Sequence, residues 1–215
     1  MFDRRSLRVY VVTSTGLAPG RGHRDVALAA IEGGASAIQL RAPELRDEDL
    51  LPLATELAVQ CREAGVLFVV NDRLDVALES GADGVHLGQR DDLGDVRARI
   101  GADAVLGISV GDVDEARVAE SAGADYLGVT VWATPTKPEA IPHDLVGLRA
   151  IVGGTSLPVV GIGGIEASNA GQVIAAGAAG VAVVSAVGGA DDPVDATRQL
   201  SAAVPSAVSI REGSP

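Results

Sequence analysis

Two carboxylates stand where they could hold a metal ion. In "VVNDRLDVALESGADGVHLGQRDD" (69–92), Asp72 and Asp91 each follow an apolar run of strand length. Mg²⁺ is commonly held by one or two carboxylates, with phosphate oxygens and water completing its octahedron, and this pair suits such a hard cation. The plainer alternative is that each aspartate caps the helix that follows it. Positive charge comes from elsewhere: Arg41 follows "AIQL", and Lys137 closes "WATPTK" beside the hydroxyls of Thr134 and Thr136. Cations from separate loops next to a bound metal are what a departing diphosphate needs. Solvated loop cations are the ordinary alternative.

Further polar groups, Gln39, Asn71 and Ser109, close other apolar runs. Gly161, Gly163 and Gly164 in "VVGIGGIEASNA", with Val184 and Ser185 in "VVSAVGGADDP", offer backbone N–H groups suited to a phosphate. Glycines there serve tight turning and helix–sheet packing equally well. His86 lies inside a strand-like run and reads as a satisfied interior histidine. His23 and His143 fall in loops, without the spacing of a metal trio. No Ser-His-Asp or Cys-His pattern suggests a nucleophile.

These groups need elements to position them. Apolar runs of strand length occur at 8–13, 37–40, 67–71, 84–87, 104–109, 126–130, 158–163 and 180–185. Between them, stretches such as "DEDLLPLATELAVQCREAG" carry apolar residues at helical spacing, begin with acids and stop at glycine. The dipeptide Gly-Ala recurs at 34–35, 81–82, 123–124 and 177–178, each time before an even-numbered run. Glycine there can adopt the left-handed conformation that ends a helix. Eight alternating units predict a single (β/α)₈ barrel over residues 1–203, with 204–215 as a polar tail. An open doubly wound sheet is the alternative. In a barrel the strand ends bearing Gln39, Arg41, Asn71, Asp72, Asp91 and Ser109 surround one mouth. The Gly-rich loop "TSTGLAPGRGHRD" (13–25) is a candidate lid.

Composition agrees. Of the 215 residues 47% are hydrophobic but only 2% aromatic, so Ala, Val, Leu and Ile must build the core, as in parallel sheets covered by helices. A net charge of −12 argues against a bulk grip on nucleic acid or on an anionic membrane. The single cysteine, Cys61, excludes an intrachain disulfide, and no stretch approaches a membrane span. A cytoplasmic protein is the expectation, and a homo-oligomer is left open.

"QLR", "VNDRLDVALESGADGVHLGQRD", "TPTKPEA", "GIGGI" and "GVAVVSA" occur together and in order, and over roughly residues 8–200 the chain resembles the thiamine-phosphate synthases. The resemblance implies a Mg²⁺-dependent joining of 4-amino-2-methyl-5-hydroxymethylpyrimidine diphosphate to 4-methyl-5-(2-phosphooxyethyl)thiazole, releasing pyrophosphate. It implies that Asp72 and Asp91 hold Mg²⁺ and that Gln39, Arg41, Asn71, Ser109 and Lys137 bind the pyrimidine diphosphate, with Arg41, Ser109 and Lys137 acting on the reaction. Thr134 and Thr136, with the backbone at Gly163, Gly164, Val184 and Ser185, would hold the thiazole phosphate. The chain departs from the family's usual "QLREK" with Pro43 in place of lysine, and Arg46 is the nearby cation that could compensate. Ser14 replaces the aspartate common after the first strand, and the stretch "GVTVWATPTK" is one residue shorter than usual. Rival readings are a thiazole tautomerase, whose histidine after the sixth strand is missing here, a phosphosugar isomerase, and a non-catalytic sensor of the thiazole phosphate or of thiamine phosphate.

Overall fold

Short β-branched runs that are apolar on both faces are stable only where both faces are covered. Eight such runs form the strands β1 (Val9–Val12), β2 (Ala37–Leu40), β3 (Leu67–Asn71), β4 (Gly84–Leu87), β5 (Val105–Ser109), β6 (Tyr126–Thr130), β7 (Val159–Ile162) and β8 (Gly180–Val183). In the computed structural model, which describes residues 3–89, 91–134 and 140–204, every strand pairs parallel with the next. β1 closes on β8 through Val9↔Val181, so the sheet is a closed barrel and not an open one. The outer layer is α1 (His23–Glu32), α2 (Asp47–Ala64), α3 (Leu74–Ser80), α4 (Val96–Ile100), α5 (Val113–Ser121), α6 (Asp144–Gly154), α7 (Ala170–Ala175), the single turn α8 (Ser185–Gly188) and α9 (Pro193–Ala203). Among the described residues no helix is long and apolar enough to cross a membrane.

The Gly-Ala repeat builds the lower rim of the barrel. Gly34, Gly81, Gly123 and Gly177 have φ of +89°, +74°, +83° and +102°, the left-handed region that ends a helix. Each following alanine donates its N–H to the carbonyl five residues back, from Ala35 to Ala30 at 2.9 Å and from Ala124 to Ala119 at 3.1 Å, for example. The next residue then enters the ladder of the preceding strand: Ser36 N–H donates to the Val9 carbonyl, Asp83 to Phe68 and Asp125 to Leu106. Three of these side chains return the bond. Ser36 Oγ, Asp83 Oδ2 and Asp125 Oδ2 accept from the N–H of Val9 (2.9 Å), Phe68 (2.8 Å) and Leu106 (2.8 Å). At the fourth position Ala179 has no acceptor to offer.

Apolar burial lies in two shells. Between helices and sheet, α2 buries Leu50, Ala54, Leu57, Ala58 and Cys61 along one stripe, each leucine contributing roughly 1.5–3 kcal/mol. Inside the barrel a smaller cluster forms around Leu7, Tyr10, Val105, Tyr126 and Val160. Two boundaries differ from the sequence reading. Strands β1, β5, β7 and β8 are one or two residues shorter than their apolar runs. Val204, expected to begin a frayed tail, is buried, and its carbonyl accepts from Arg8 Nη1 at 2.7 Å; residues 205–215 lie outside the described residues.

Candidate active site

Strand alternation sends Gln39, Asn71, His86, Ser109 and Tyr126 into the barrel, and the loops beyond the strand ends surround the space above them. The result is a cavity of about 1010 Å³, counting its open mouth. Of the residues expected at the site, Gln39, Arg41, Asn71 and Ser109 line it on one side. Thr134, Gly163, Gly164, Val184 and Ser185 line it on the other. Thr136 and Lys137 fall outside the described residues, while Thr134 and Ala140 on either side of them both line the cavity.

The floor of this cavity is a chain of polar side chains. Gln39 Nε2 donates to Tyr10 Oη at 2.9 Å, and Tyr10 Oη shares a hydrogen bond of 2.8 Å with Tyr126 Oη. His86 continues the chain, with Nδ1 3.0 Å from Tyr126 Oη and Nε2 2.9 Å from Ser109 Oγ. Gly107 makes room for it: a Cβ there would lie 2.2 Å from the Tyr126 ring and 2.5 Å from His86 Nδ1. Burial pushes both tyrosine hydroxyls far above their usual range, with Tyr10 adding to the effect on Tyr126, so both keep their protons. His86 is thus the satisfied interior histidine expected, but it also lines the cavity and contacts Ser109 directly. The two tyrosines were not anticipated. The available signal was that the chain has only two, each within an alternating strand.

Arg41 is half-buried at the mouth and, among the described residues, engaged in no salt bridge. Arg46, considered as a replacement for the missing lysine, is instead exposed and paired with Glu48 and with Asp49 at 3.0 Å. Ser14 lines the cavity where the family usually has aspartate. The glycines after β7 turn tightly where they border the cavity. Gly163 and Gly164 line the cavity with φ of +93° and +63°, and a Cβ on Gly163 would lie 2.5 Å from the Trp132 carbonyl.

Neither candidate metal ligand caps a helix. The N-cap of α3 is Arg73 and that of α4 is Asp95, which overturns the capping alternative. Asp72 sits at φ +61° immediately beyond β3, its N–H donating to the His86 carbonyl at 2.9 Å. Asp91 folds back on its own loop, with Oδ2 accepting from Gly88 N–H at 2.6 Å. Both are exposed at the mouth end of the barrel, and neither is among the residues lining the cavity. Among the described residues no group of three or more His, Cys, Asp or Glu is arranged to hold a metal. A donor set of two carboxylates from adjacent strands fits Mg²⁺ if substrate oxygens and water supply the rest. His23, placed in a loop by the sequence reading, is instead the buried first residue of α1.

The family description "Thiamine monophosphate synthase" matches residues 9–187, almost the whole barrel. The chain belongs to the thiamine monophosphate synthase family. It is 50% identical over 195 residues to the thiamine-phosphate synthase of Moorella thermoacetica, covering 89% of this chain and 93% of that one. The thiamine-phosphate synthase of Chloroflexus aurantiacus is also 50% identical, over 199 residues and 92% of each chain. A solved thiamine phosphate pyrophosphorylase from Pyrococcus furiosus superposes with a TM-score of 0.86 at 40% identity, over 94% of this chain and 96% of its own. As a member of the synthase family, the chain is a transferase of thiamine biosynthesis.

Proposed function

We propose that the enzyme joins 4-amino-2-methyl-5-hydroxymethylpyrimidine diphosphate to 4-methyl-5-(2-phosphooxyethyl)thiazole, giving thiamine phosphate and pyrophosphate. The observation that carries this is the two-sided lining of one cavity. Amide, hydroxyl and guanidinium groups come from β2, β3 and β5, and glycine-rich backbone comes from the ends of β7 and β8. The first side suits a pyrimidine with an anionic leaving group, the second a phosphate.

In this reading the C–O bond between the pyrimidine methylene and the diphosphate breaks, and its electron pair leaves with pyrophosphate. The pyrimidine amino group stabilises the cation-like methylene. The thiazole nitrogen then donates its lone pair to form the new C–N bond. No proton is transferred, so no enzymic base is required. Arg41, with Lys137, stabilises charge on the departing diphosphate, and Gln39, Asn71 and Ser109 orient the pyrimidine. Thr134, Thr136 and the backbone at 163–164 and 184–185 hold the thiazole phosphate. Asp72 and Asp91 would hold Mg²⁺, which supplies further charge neutralisation at the leaving group.

The test is to incubate both substrates with the enzyme, with Mg²⁺ or with chelator, and to convert the product to fluorescent thiochrome. Mg²⁺-dependent product is expected. Binding of thiazole phosphate without turnover would replace the synthase by a sensor.

A further inference from the structure

We propose that Thr13, His23 and Glu44 are positioning residues for Arg41 and set the affinity of the site for a diphosphate; the inference rests on Arg41 gripping that group. Thr13 lies one residue beyond β1, and its N–H continues the ladder to the Gln39 carbonyl at 2.9 Å. The next rung is made by its side chain, whose Oγ1 accepts from Arg41 N–H at 3.3 Å. The hydroxyl therefore takes over where the strand ends and fixes the residue that enters the mouth. His23 Nδ1 lies 2.9 Å from that same Oγ1, and its Nε2 lies 2.7 Å from Glu44 Oε1. Thr15 Oγ1 donates to the same carboxylate oxygen at 3.1 Å.

Hydroxyl, imidazole and carboxylate thus stand in the order of a nucleophilic triad. The hydroxyl is buried and already engaged by Arg41 N–H and His23, so its product is geometry. Pro43 completes the device. Leu45 N–H donates to the Ala42 carbonyl at 3.1 Å, closing a turn with Pro43 at the position where proline is favoured. That turn presents Glu44 to His23. Where the family usually offers a lysine, this chain stiffens the loop that carries its arginine. The clasp lies at the mouth end of the barrel, where residues serve the reaction, and not at the opposite rim, where they serve stability.

Thr13→Val and Glu44→Ala, each alone and in an Arg41→Ala background, test this, with KM measured for both substrates and inorganic pyrophosphate binding followed by calorimetry. Both single variants are expected to raise KM for the pyrimidine diphosphate about tenfold, as loss of a hydrogen bond that orders a charged group should. KM for the thiazole phosphate stays unchanged, Thr13→Ser restores the parent value, and neither change adds to Arg41→Ala. Equal rises in both KM values, or the same fold loss in the Arg41→Ala background, would reduce the clasp to general loop stability and overturn the proposal. Glu44 is 44% exposed, so its variant keeps the test open should Thr13→Val fail to fold. Arg41→Ala raising KM while the clasp variants do not would sink the clasp alone. Arg41→Ala leaving it unchanged would sink both the clasp and the role of Arg41.

Discussion

Asp72 holds its backbone in a conformation that costs a residue with a Cβ of order 1–3 kcal/mol. Such strain persists where the surroundings impose it, and here the bond from Asp72 N–H to the His86 carbonyl does so. Asparagine tolerates the same φ but is a poor ligand for a hard cation. Asp72→Asn and Asp91→Asn are therefore expected to leave the melting temperature nearly unchanged while lowering Mg²⁺-dependent turnover about tenfold or more. A Mg²⁺ titration identical to that of the parent would remove the residue from the metal site. The placement of these aspartates was legible because a strand run, a polar residue and a helix pattern follow one another in plain order. The His23 clasp was not, since its three groups come from separate segments and meet only when β1 and β2 are in register. Tyr10 and Tyr126, 116 residues apart, were hidden for the same reason.

Among the elements, the strands were readable nearly to the residue because the runs are distinctly apolar and β-branched, and Gly-Ala marks the start of the four even-numbered ones. What the dipeptide did not reveal is the acceptor that follows it. Asp125 binds Leu106 N–H and also Arg97 Nη2 at 2.7 Å. Arg97 in turn donates to the carbonyls of Gly101, Ala104 and Gly123, tying α4, β5 and β6 together below the barrel. Asp125→Ala leaves the Leu106 N–H without its acceptor and the Arg97 guanidinium without its counter-charge, and about 1–3 kcal/mol of stability should be lost. Because this rim lies opposite the mouth, KM for both substrates is expected to hold. Denaturant unfolding with parallel kinetics checks both halves, and a change in KM at full stability would contradict the separation. The seven-residue α3 and five-residue α4 explain why the helix-capping alternative misled: each begins later than its sequence pattern suggests.

Among the described residues, the interior holds Tyr10, Tyr126 and Cys61, whose ionisation is opposed by burial. The Cys61 thiol is pushed up to about 12, by burial first and then by Asp83, and both tyrosines lie far above their usual range. Below the ordinary thiol range all three are protonated in the folded and in the unfolded chain, so their contribution is fully present. As pH rises from about 9, the unfolded chain releases protons that the folded chain retains, and stability falls until the folded groups themselves ionise. These are the only two tyrosines in the chain, so tyrosinate absorbance reports them without background. It is expected to rise in one step together with loss of circular dichroism, and a gradual rise in a folded protein would show the barrel floor to be open to water.

Arg8, just ahead of β1, donates to the carbonyls of Ser201 and Val204 at the end of α9. The start of the first strand and the end of the last helix therefore lie side by side, on the rim away from the mouth. The sheet cannot close until segments about as far apart as the barrel allows have met, so the β1–β8 seam carries a large closure entropy. It also means that the ring has no topological need to begin where it does. With a short linker across the seam and a new break in an exposed loop of the lower rim, the same eight strands could be synthesised in rotated order around an unaltered mouth.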